Sequence, residues 1–332
     1  MTNLPSSKNE THVVAAMDVG STAIRLLVAE IDDSGDVRIL ENLQRAVSLG
    51  QDAFATSHLE QETINKAIEI IRGFQTIMEP YGVEELHAVA TSAVREASNQ
   101  DVFLERVYMA TGIVIEVVSG SEEHRLLYRA VREAYQTAGI ETADCTLILE
   151  LGAGTAELAM FEERRVVFTG SYPFGTVRLT NALRTAHRTP EETVELLRRH
   201  IGPSLDVIEH GSPLRRMEEF IAVGSEMRFV ANRLSSDERD AHVKSISRKK
   251  FNSFLKEISK LRPEEIAQNY NLNYPDNETL VPAMLTHGEI FSRTKARQIR
   301  VPYVSMRDGL ILDFMSEKTE EGSEELEAQI VS

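Results

Sequence analysis

The chain alternates short apolar runs, which predict strands, with longer stretches whose apolar residues recur at helical spacing. The predicted strands are 13–31 (a hairpin), 37–43, 85–90, 113–118, 146–168 (a hairpin), 219–223 and 299–304. The predicted helices are 59–78, 101–111, 120–137, 191–209, 226–234, 248–261, 263–270, 277–296 and a terminal helix. Segments 45–52 and 235–247 are predicted loops, and 171–180 a strand followed by a loop. Strands that alternate with helices predict an α/β layer architecture.

Two of the predicted hairpins share one layout of acid, glycine turn and hydroxyl side chain. In the second hairpin, Glu150 precedes the turn 152–155 and Glu157 follows it. Glycines let the backbone approach an anion with its amides, and flanking carboxylates can hold a divalent metal against that anion. The first hairpin repeats this order with Asp18 before the turn 20–22. An ordinary glycine turn gives either pattern, but two of them about 130 residues apart predict a duplicated domain that holds phosphate between its halves. This arrangement is typical of the actin-like ATPase and sugar-kinase fold.

A candidate general base lies at the start of the helix predicted at 120–137. Ser119 and Glu122 match a capping box. Glu123 lies four residues before Leu127, so its carboxylate shares the apolar stripe of the helix. Burial raises the pKa of such a carboxyl and the helix N-terminus lowers it. Two acids at a helix start are also common on any protein, because they interact favourably with the helix dipole.

Composition narrows the function classes. A length of 332 residues favours two domains. No apolar run is long enough to span a membrane, and we expect no signal peptide. The single cysteine, Cys145, allows no internal disulfide, which favours a cytoplasmic location. The net charge of −16 argues against non-specific nucleic-acid binding and, more weakly, against a long polyanionic ligand. The polar tails 1–11 and 329–332 are predicted to be disordered.

The segments 18–25, 90–99, 119–123, 150–157 and 173–180, with a weaker match at 306–310, occur in one order along the chain. Taken together, they resemble the exopolyphosphatase / guanosine pentaphosphate phosphohydrolase (Ppx/GppA) family. The resemblance implies two actin-like (ribonuclease H-like) domains around a central cleft. We expect an N-terminal domain at 12–122 joined by a C-terminal helix at about 311–328, and a second domain at 123–310. The HD-type C-terminal domain of longer members has no counterpart here, so we expect the short form.

The resemblance also implies an activity and a set of site residues. The activity is release of terminal phosphate from inorganic polyphosphate, or from guanosine pentaphosphate (pppGpp), with Mg²⁺ or Mn²⁺. Glu123 falls on the catalytic base of the family. The metal ligands fall on Glu150 and Glu157, with Asp18 acting through water. The phosphate-binding residues fall on Gly20, Ser21, Thr22, Arg95, Gly152, Ala153, Gly154 and Thr155, with Arg45 as a weaker candidate. Members of the family often form homodimers, which nothing in this sequence fixes.

Several positions depart from the family pattern: Glu150 replaces Asp, Thr22 replaces Asn, Ala153 replaces Gly, Thr155-Ala156 replaces Ser-Thr, and Gly224-Ser225-Glu226 replaces Gly-Gly-Thr. Ala153 adds a methyl group where the backbone could require positive φ, and Glu226 places a carboxylate near the ligand groove. One alternative is therefore a weakly active or inactive sensor that binds polyphosphate or alarmone. A kinase or ATPase is a further alternative, although Gly224-Ser225-Glu226 is a poor adenosine-binding turn.

Histidines and lysines leave two smaller questions. We expect no histidine metal site, because His124 is predicted to point away from the active face and His87 and His287 to be structural or exposed. A basic stretch either forms a track for a long chain or is a solvated helix face. Its members are Lys244, Arg248, Lys249, Lys250 and Lys256.

Overall fold

The computed structural model describes residues 11–32, 35–183, 189–235 and 242–316. Within them the strands are β1 (Thr11–Val19), β2 (Ala23–Asp32), β3 (Val37–Ala46), β4 (Glu85–Ala90), β5 (Glu116–Val117), β6 (Cys145–Leu151), β7 (Ala156–Glu162), β8 (Arg165–Tyr172), β9 (Glu219–Val223), β10 (Val243–Ser247) and β11 (Gln298–Pro302). The helices are α1 (Leu49–Thr56), α2 (Gln61–Met78), α3 (Ser92–Arg95), α4 (Gln100–Thr111), α5 (Gly120–Thr137), α6 (Thr176–Leu183), α7 (Pro190–Gly211), α8 (Ser225–Leu234), α9 (Arg248–Ile258), α10 (Pro263–Tyr270), α11 (Asp276–Ser292) and α12 (306–316).

The two sheets have the same topology. The first has the strand order β3-β2-β1-β4-β5, in which β1, β2 and β3 are antiparallel and β4 and β5 continue the sheet in parallel. The second has the order β8-β7-β6-β9-β11, built in the same way, with β10 added antiparallel at its edge. The predicted fold of two actin-like units around a cleft is confirmed.

The central strands are apolar on both faces because helices cover both sides of each sheet. Val14, Ala15, Ala16 and Met17 are consecutive residues of β1, and each is 1% exposed or less. A continuous apolar run of this kind is typical of a strand buried on both faces. None of the helices in the described ranges combines the length and the apolar character needed to cross a lipid bilayer.

Helix α5 connects the two sheets through consecutive residues. Leu126 packs in a cluster with residues of β1, β2 and α12, whereas Leu127 packs in a cluster with residues of β6, β7 and β9. Helix α12 approaches α5 closely at Gly309, where a Cβ atom would lie 2.2 Å from the carbonyl oxygen of Leu126. This packing places the first turn of α5 between the two sheets.

Four sequence-based expectations were wrong. The segment 45–52 forms the end of β3 and the start of α1, and 171–180 continues from β8 into α6. The expected loop 235–247 includes strand β10, while residues 236–241 lie outside the described residues. The expected strand 113–118 is reduced to Glu116–Val117. The predicted tails lie outside the described residues except for Thr11, which begins β1, and so does the predicted terminal helix beyond residue 316.

Candidate active site

The turns of the two glycine hairpins face one cleft between the sheets. Residues from both turns line a cavity of about 170 Å³. Each turn is closed by a backbone hydrogen bond: the Gly20 amide donates to Ala23 O at 3.1 Å, and the Gly152 amide donates to Thr155 O at 2.9 Å. The two turns therefore line one cavity, as the repeated pattern in the sequence predicts.

In both turns, backbone carbonyl groups accept hydrogen bonds from neighbouring backbone amides. Ser21 O and Thr22 O accept hydrogen bonds from the amides of Gly50 and Val47, beside α1. In the second turn, the carbonyls of Gly152, Ala153 and Gly154 accept bonds from the amides of Thr176, Val177 and Gly175, beside α6. A trans peptide points its amide opposite to its carbonyl. The amides of residues 22 and 153–155 are thus directed away from α1 and α6, an arrangement that suits an anion.

The second turn depends on small residues at its contacts. A Cβ on Gly154 would lie 2.3 Å from the Phe54 ring, and a Cβ on Gly175 would lie 2.4 Å from backbone atoms of the turn. Ala153 has no positive φ, so the expected strain at this departure from the family pattern is absent. Arg178 holds the turn from outside, because its Nε donates to Gly154 O at 3.0 Å.

The structure brings most of the predicted site residues to this cavity. Those that line it are Asp18, Gly20, Ser21, Thr22, Glu123, Glu150, Gly152, Ala153, Thr155 and Glu157. Gly154 lies behind the turn against Phe54. Arg95 and Arg45 do not line the cavity, and each has other contacts.

Glu123 projects from the first turn of α5 into the cavity. Ser119 caps this helix, since its side chain accepts the Glu122 amide at 3.2 Å. The Glu123 side chain is 12% exposed and forms an ion pair with Arg95. Burial raises the pKa of Glu123 to about 7, although Arg95 opposes the shift. Glu122 instead faces outward and pairs with Arg125. A buried carboxyl that titrates near neutral pH is suited to general-base chemistry.

Arg95 supports Glu123 rather than reaching into the cavity. Its Nη1 donates to Val118 O at 2.7 Å and also contacts Glu123 Oε1. The guanidinium is therefore bound to the carboxylate that is predicted to be the base. Arg45 lies exposed on β3 and donates to Gln44 O at 3.0 Å, so its predicted role at the site does not agree with its position.

Three acidic side chains of the cavity differ in the groups that hold them: Asp18, Glu150 and Glu157. Asp18 pairs with Arg25 at 3.1 Å. Burial alone would raise the pKa of Glu157, but the neighbouring His124 and the hydrogen bond from Ser171 outweigh burial and lower it. Burial raises the pKa of Glu150 to about 8, and the neighbouring carboxyls add to the rise. Within the described part of the chain, no hydrogen bond or ion pair holds the Glu150 carboxyl.

His124 lies at the site, which the sequence analysis did not expect. Its Nε2 is 3.1 Å from Glu157 Oε2, and its side chain is 14% exposed. His124 follows Glu123 in the first turn of α5, and β7 approaches this turn closely enough for the contact. The prediction that His124 points away from the active face was wrong, because spacing along one helix carries no information about a strand packed against it.

The carboxyl groups fit a hydrated divalent cation better than a fully protein-bound one. No group of three acidic, histidine or cysteine side chains among the described residues is arranged to hold a metal directly. Asp18 and Glu157 already have partners, while Glu150 faces the cavity without one. Mg²⁺ usually keeps several waters and binds through one or two carboxylates and substrate phosphates. Glu150 is therefore the residue best placed to hold such an ion.

Three arginines that the sequence analysis did not assign line the cavity. They are Arg25, Arg228 and Arg307. Arg25 was predictable, because it lies opposite Asp18 in the register of the first hairpin. Arg228 donates to Val304 O at 3.0 Å, and Arg307 donates to Leu26 O at 3.1 Å. Burial lowers the pKa of both, and each remains a cation near neutral pH.

The basic stretch after residue 243 forms no track to the cavity. Arg248 donates to the carbonyls of Phe291, Thr294 and Ala296. Lys244 bonds to Asn232, and Lys250 bonds to the carbonyl of Leu234. Among the residues that the structure describes, no member of this stretch lines the cleft.

The duplicated sheets and the shared cleft define a protein of the actin-like fold class. A sequence profile of the Ppx/GppA phosphatase family matches residues 27–318, and the chain belongs to this family. Exopolyphosphatase 1 of Mycobacterium tuberculosis is 30% identical over 205 residues, which cover 60% of this chain and 58% of that protein. A bifunctional 3-dehydroquinate synthase/phosphatase of Fusobacterium nucleatum is 27% identical over 172 residues, 50% of this chain and 26% of that protein. The matches thus span between about a quarter and somewhat over half of these relatives.

Solved structures show the same fold over nearly the whole chain. An exopolyphosphatase from Cytophaga hutchinsonii superposes with a TM-score of 0.83 at 20% identity, covering 92% of this chain and 98% of that one. The Ppx/GppA family member of Aquifex aeolicus superposes with a TM-score of 0.75 at 22% identity, covering 93% and 99%.

Proposed function

We propose that the protein is a phosphohydrolase that releases the terminal phosphate of inorganic polyphosphate by attack of water. The observation that carries the proposal is the position of Glu123: a buried carboxyl with a pKa of about 7 that lines the same cavity as both glycine turns. Membership of a phosphatase family supports hydrolysis of a phosphate substrate. The exopolyphosphatase relative supports polyphosphate as that substrate.

The residues divide the reaction between them. Glu123 takes a proton from the attacking water, whose oxygen forms a bond to the terminal phosphorus. The bond from that phosphorus to the bridging oxygen breaks, and the bridging oxygen remains on the shortened chain as an additional anionic oxygen. Glu123 then returns its proton to solvent. The turn amides and the cleft arginines stabilise the negative charge, and in phosphoryl transfer this positioning and electrostatic stabilisation provide most of the acceleration.

A divalent cation, Mg²⁺ or Mn²⁺, would be held at Glu150, with Glu157 and Asp18 nearby, and would supply positive charge against the phosphate oxygens. Burial raises the pKa of Glu150 and of Glu123, and the neighbouring carboxyls add to the rise, so a cation in the cleft would offset negative charge that is both buried and crowded.

The direct test is a phosphate-release assay with polyphosphate and with guanosine pentaphosphate, each in Mg²⁺ and in Mn²⁺. We expect release from polyphosphate that depends on the metal. Faster release from guanosine pentaphosphate would change the substrate assignment but keep the class of reaction. Tight binding of either compound in calorimetry without release in either metal would contradict the proposal and favour a sensor.

A further inference from the structure

Two additional carboxyls line the cleft, and they form a group separate from the acids around Glu123. Glu226 lies in the first turn of α8 and Asp276 begins α11, and both line the cavity. After burial, the charges that raise the pKa of Glu123 come from Glu157 and Asp18, whereas the charge that raises the pKa of Glu226 comes from Asp276. One part of the cleft thus carries the proposed base, and Glu226 and Asp276 form an acidic wall in another part.

Glu226 is fixed in place by its own turn. Its Oε2 accepts a hydrogen bond from Ser225 Oγ at 2.9 Å. The preceding Gly224 has a φ of +140°, a conformation that side-chain-bearing residues rarely adopt. A Cβ on Gly224 would lie 3.9 Å from Glu226 Oε2, so the carboxyl stays close to its own turn. Burial raises the pKa of Glu226 and of Asp276, as expected for carboxyls in a poorly hydrated wall.

The arginines of the cleft are bound to protein groups. Their charges still reach this wall, because, against the larger effect of burial in both cases, Arg25 lowers the pKa of Asp276 and Glu226 raises the pKa of Arg228. Arg25 donates to Asp18 and Gln44, Arg228 to the carbonyl of Val304, and Arg307 to Asn42 and the carbonyl of Leu26. The basic stretch after residue 243 contributes no residue to the described lining. A phosphate chain that continued past Glu226 would therefore meet two carboxyls, while the arginines that interact with them already donate hydrogen bonds to protein groups.

A hydrogen bond also crosses the cleft beside Asp276. Gln51 on α1 donates to the hydroxyl of Tyr274, which precedes Asp276 by two residues. Since α1 packs beside the first hairpin turn and Tyr274 leads into α11, this contact joins the two halves of the molecule near the acidic wall. The acidic side chains and this hydrogen bond therefore lie on the same side of the cleft.

We propose that Glu226 is a specificity-determining residue that restricts the substrate to short phosphate chains, either free or joined to an uncharged group. This inference rests on the proposed phosphohydrolase function and specifies its substrate class. The physical reason is that ionised Glu226 repels each phosphate placed next to it, strongly in a cleft of low dielectric, so that the phosphate binds only against this repulsion or with uptake of a proton by Glu226. Terminal phosphates are held by the turns and arginines, and the chain beyond them is disfavoured.

The test measures kcat/KM for each chain end with two substrates, sodium tripolyphosphate and a long-chain polyphosphate. We expect the wild-type protein to prefer tripolyphosphate by roughly tenfold or more. Glu226→Gln keeps the size of the side chain but cannot carry the charge, and it should raise the ratio of long-chain to short-chain kcat/KM by roughly tenfold. Glu264→Gln, at an exposed acid in the first turn of α10, is the matched charge control and should leave the ratio unchanged.

Each result decides the question. An equal preference for both chain lengths, unchanged in Glu226→Gln, would overturn the inference while leaving the proposed function intact. If the wild-type protein hydrolyses neither substrate, the proposed function is wrong, and the ratio of dissociation constants for the same two compounds in calorimetry tests Glu226 in its place. Glu226→Thr, with thermal melting as a check on folding, replaces Glu226→Gln if that variant does not fold.

Discussion

Glu150 and Glu157 are direct partners in the antiparallel register of β6 and β7, and both carboxyls line the cleft. Directly opposed residues of an antiparallel pair point to the same face, and like charges placed in this way are destabilising. Asp18 and Arg25 hold the corresponding positions in β1 and β2 and form an ion pair. The second hairpin thus concentrates negative charge where the first one neutralises it.

This difference predicts how stability depends on pH. The pKa of Glu150 is about 8 in the folded protein, against an ordinary value of 4.5. Between these values the folded state holds a proton that the unfolded state has lost, so stability falls as pH rises from about 4.5 to about 8. We expect Glu150→Gln to be more stable than wild type at pH 8 by on the order of 1–3 kcal/mol, and to match it near pH 4.5. Urea denaturation in EDTA at both pH values measures this, with Glu264→Gln as the control. An identical pH dependence in Glu150→Gln and wild type would rule out a raised pKa at Glu150.

The Glu150 carboxyl also predicts that a divalent metal stabilises the folded protein in the absence of substrate. Saturating Mg²⁺ should stabilise the wild-type protein at pH 8 by about 1–3 kcal/mol, because a ligand that binds only the folded state stabilises it. Thermal melting with and without EDTA measures the shift, which Glu150→Gln should lose. If the variant gains as much as wild type, the cation is held elsewhere.

Substitution of Arg95 tests whether its side chain supports the base or binds phosphate. Because Arg95 opposes the rise in the pKa of Glu123, Arg95→Gln should move the acidic limb of the kcat/KM profile upward by about one pH unit or more. Arg95→Lys, which keeps the charge, should restore part of the shift. A variant that raises KM equally at every pH, with the limb unmoved, would instead assign Arg95 to the phosphate.

Two glycines of the second turn form a matched pair. A Cβ on Gly154 would lie 2.3 Å from the Phe54 ring, whereas a Cβ on Gly152 would come no closer than 3.4 Å, to Thr155 O. Gly154→Ala should therefore displace the turn and lower phosphate release by roughly tenfold or more, while Gly152→Ala should stay within a few-fold of wild type. Similar losses in both variants would mean that the amides of the turn, rather than its packing, limit the reaction.

Local sequence patterns predicted the two turns and Glu123, because each depends on a few neighbouring residues. The register of the first hairpin also contained the signal for Arg25 opposite Asp18, which the sequence analysis did not use. Arg228 and His124 were missed for a different reason. Their positions depend on packing between elements far apart in the chain: Arg228 with the segment at Val304, and His124 with β7.

Gly50 shows how a local rule can mislead. The segment 45–52 was predicted to be a loop, but Gly50 lies within α1. A Cβ there would lie 2.7 Å from Ser21 Cβ, so glycine allows the helix to pack against the first turn. Strand β10 was missed because Val243 and Ile246 are its only apolar residues, too few to set a period. Edge strands with so little apolar character acquire their structure from the neighbouring strand.

The proposed function depends most on the assignment of Glu123 as the group that activates the water. The measurement is phosphate release from tripolyphosphate by wild type, Glu123→Gln and Glu122→Gln, with thermal melting of each protein. Glu122 is the neighbouring acid, but it faces outward and pairs with Arg125, which makes it the matched control. We expect Glu123→Gln to lose about 10²–10⁴-fold in kcat while remaining folded, and Glu122→Gln to stay close to wild type. If folded Glu123→Gln retains wild-type phosphate release, Glu123 is not the base that activates the water.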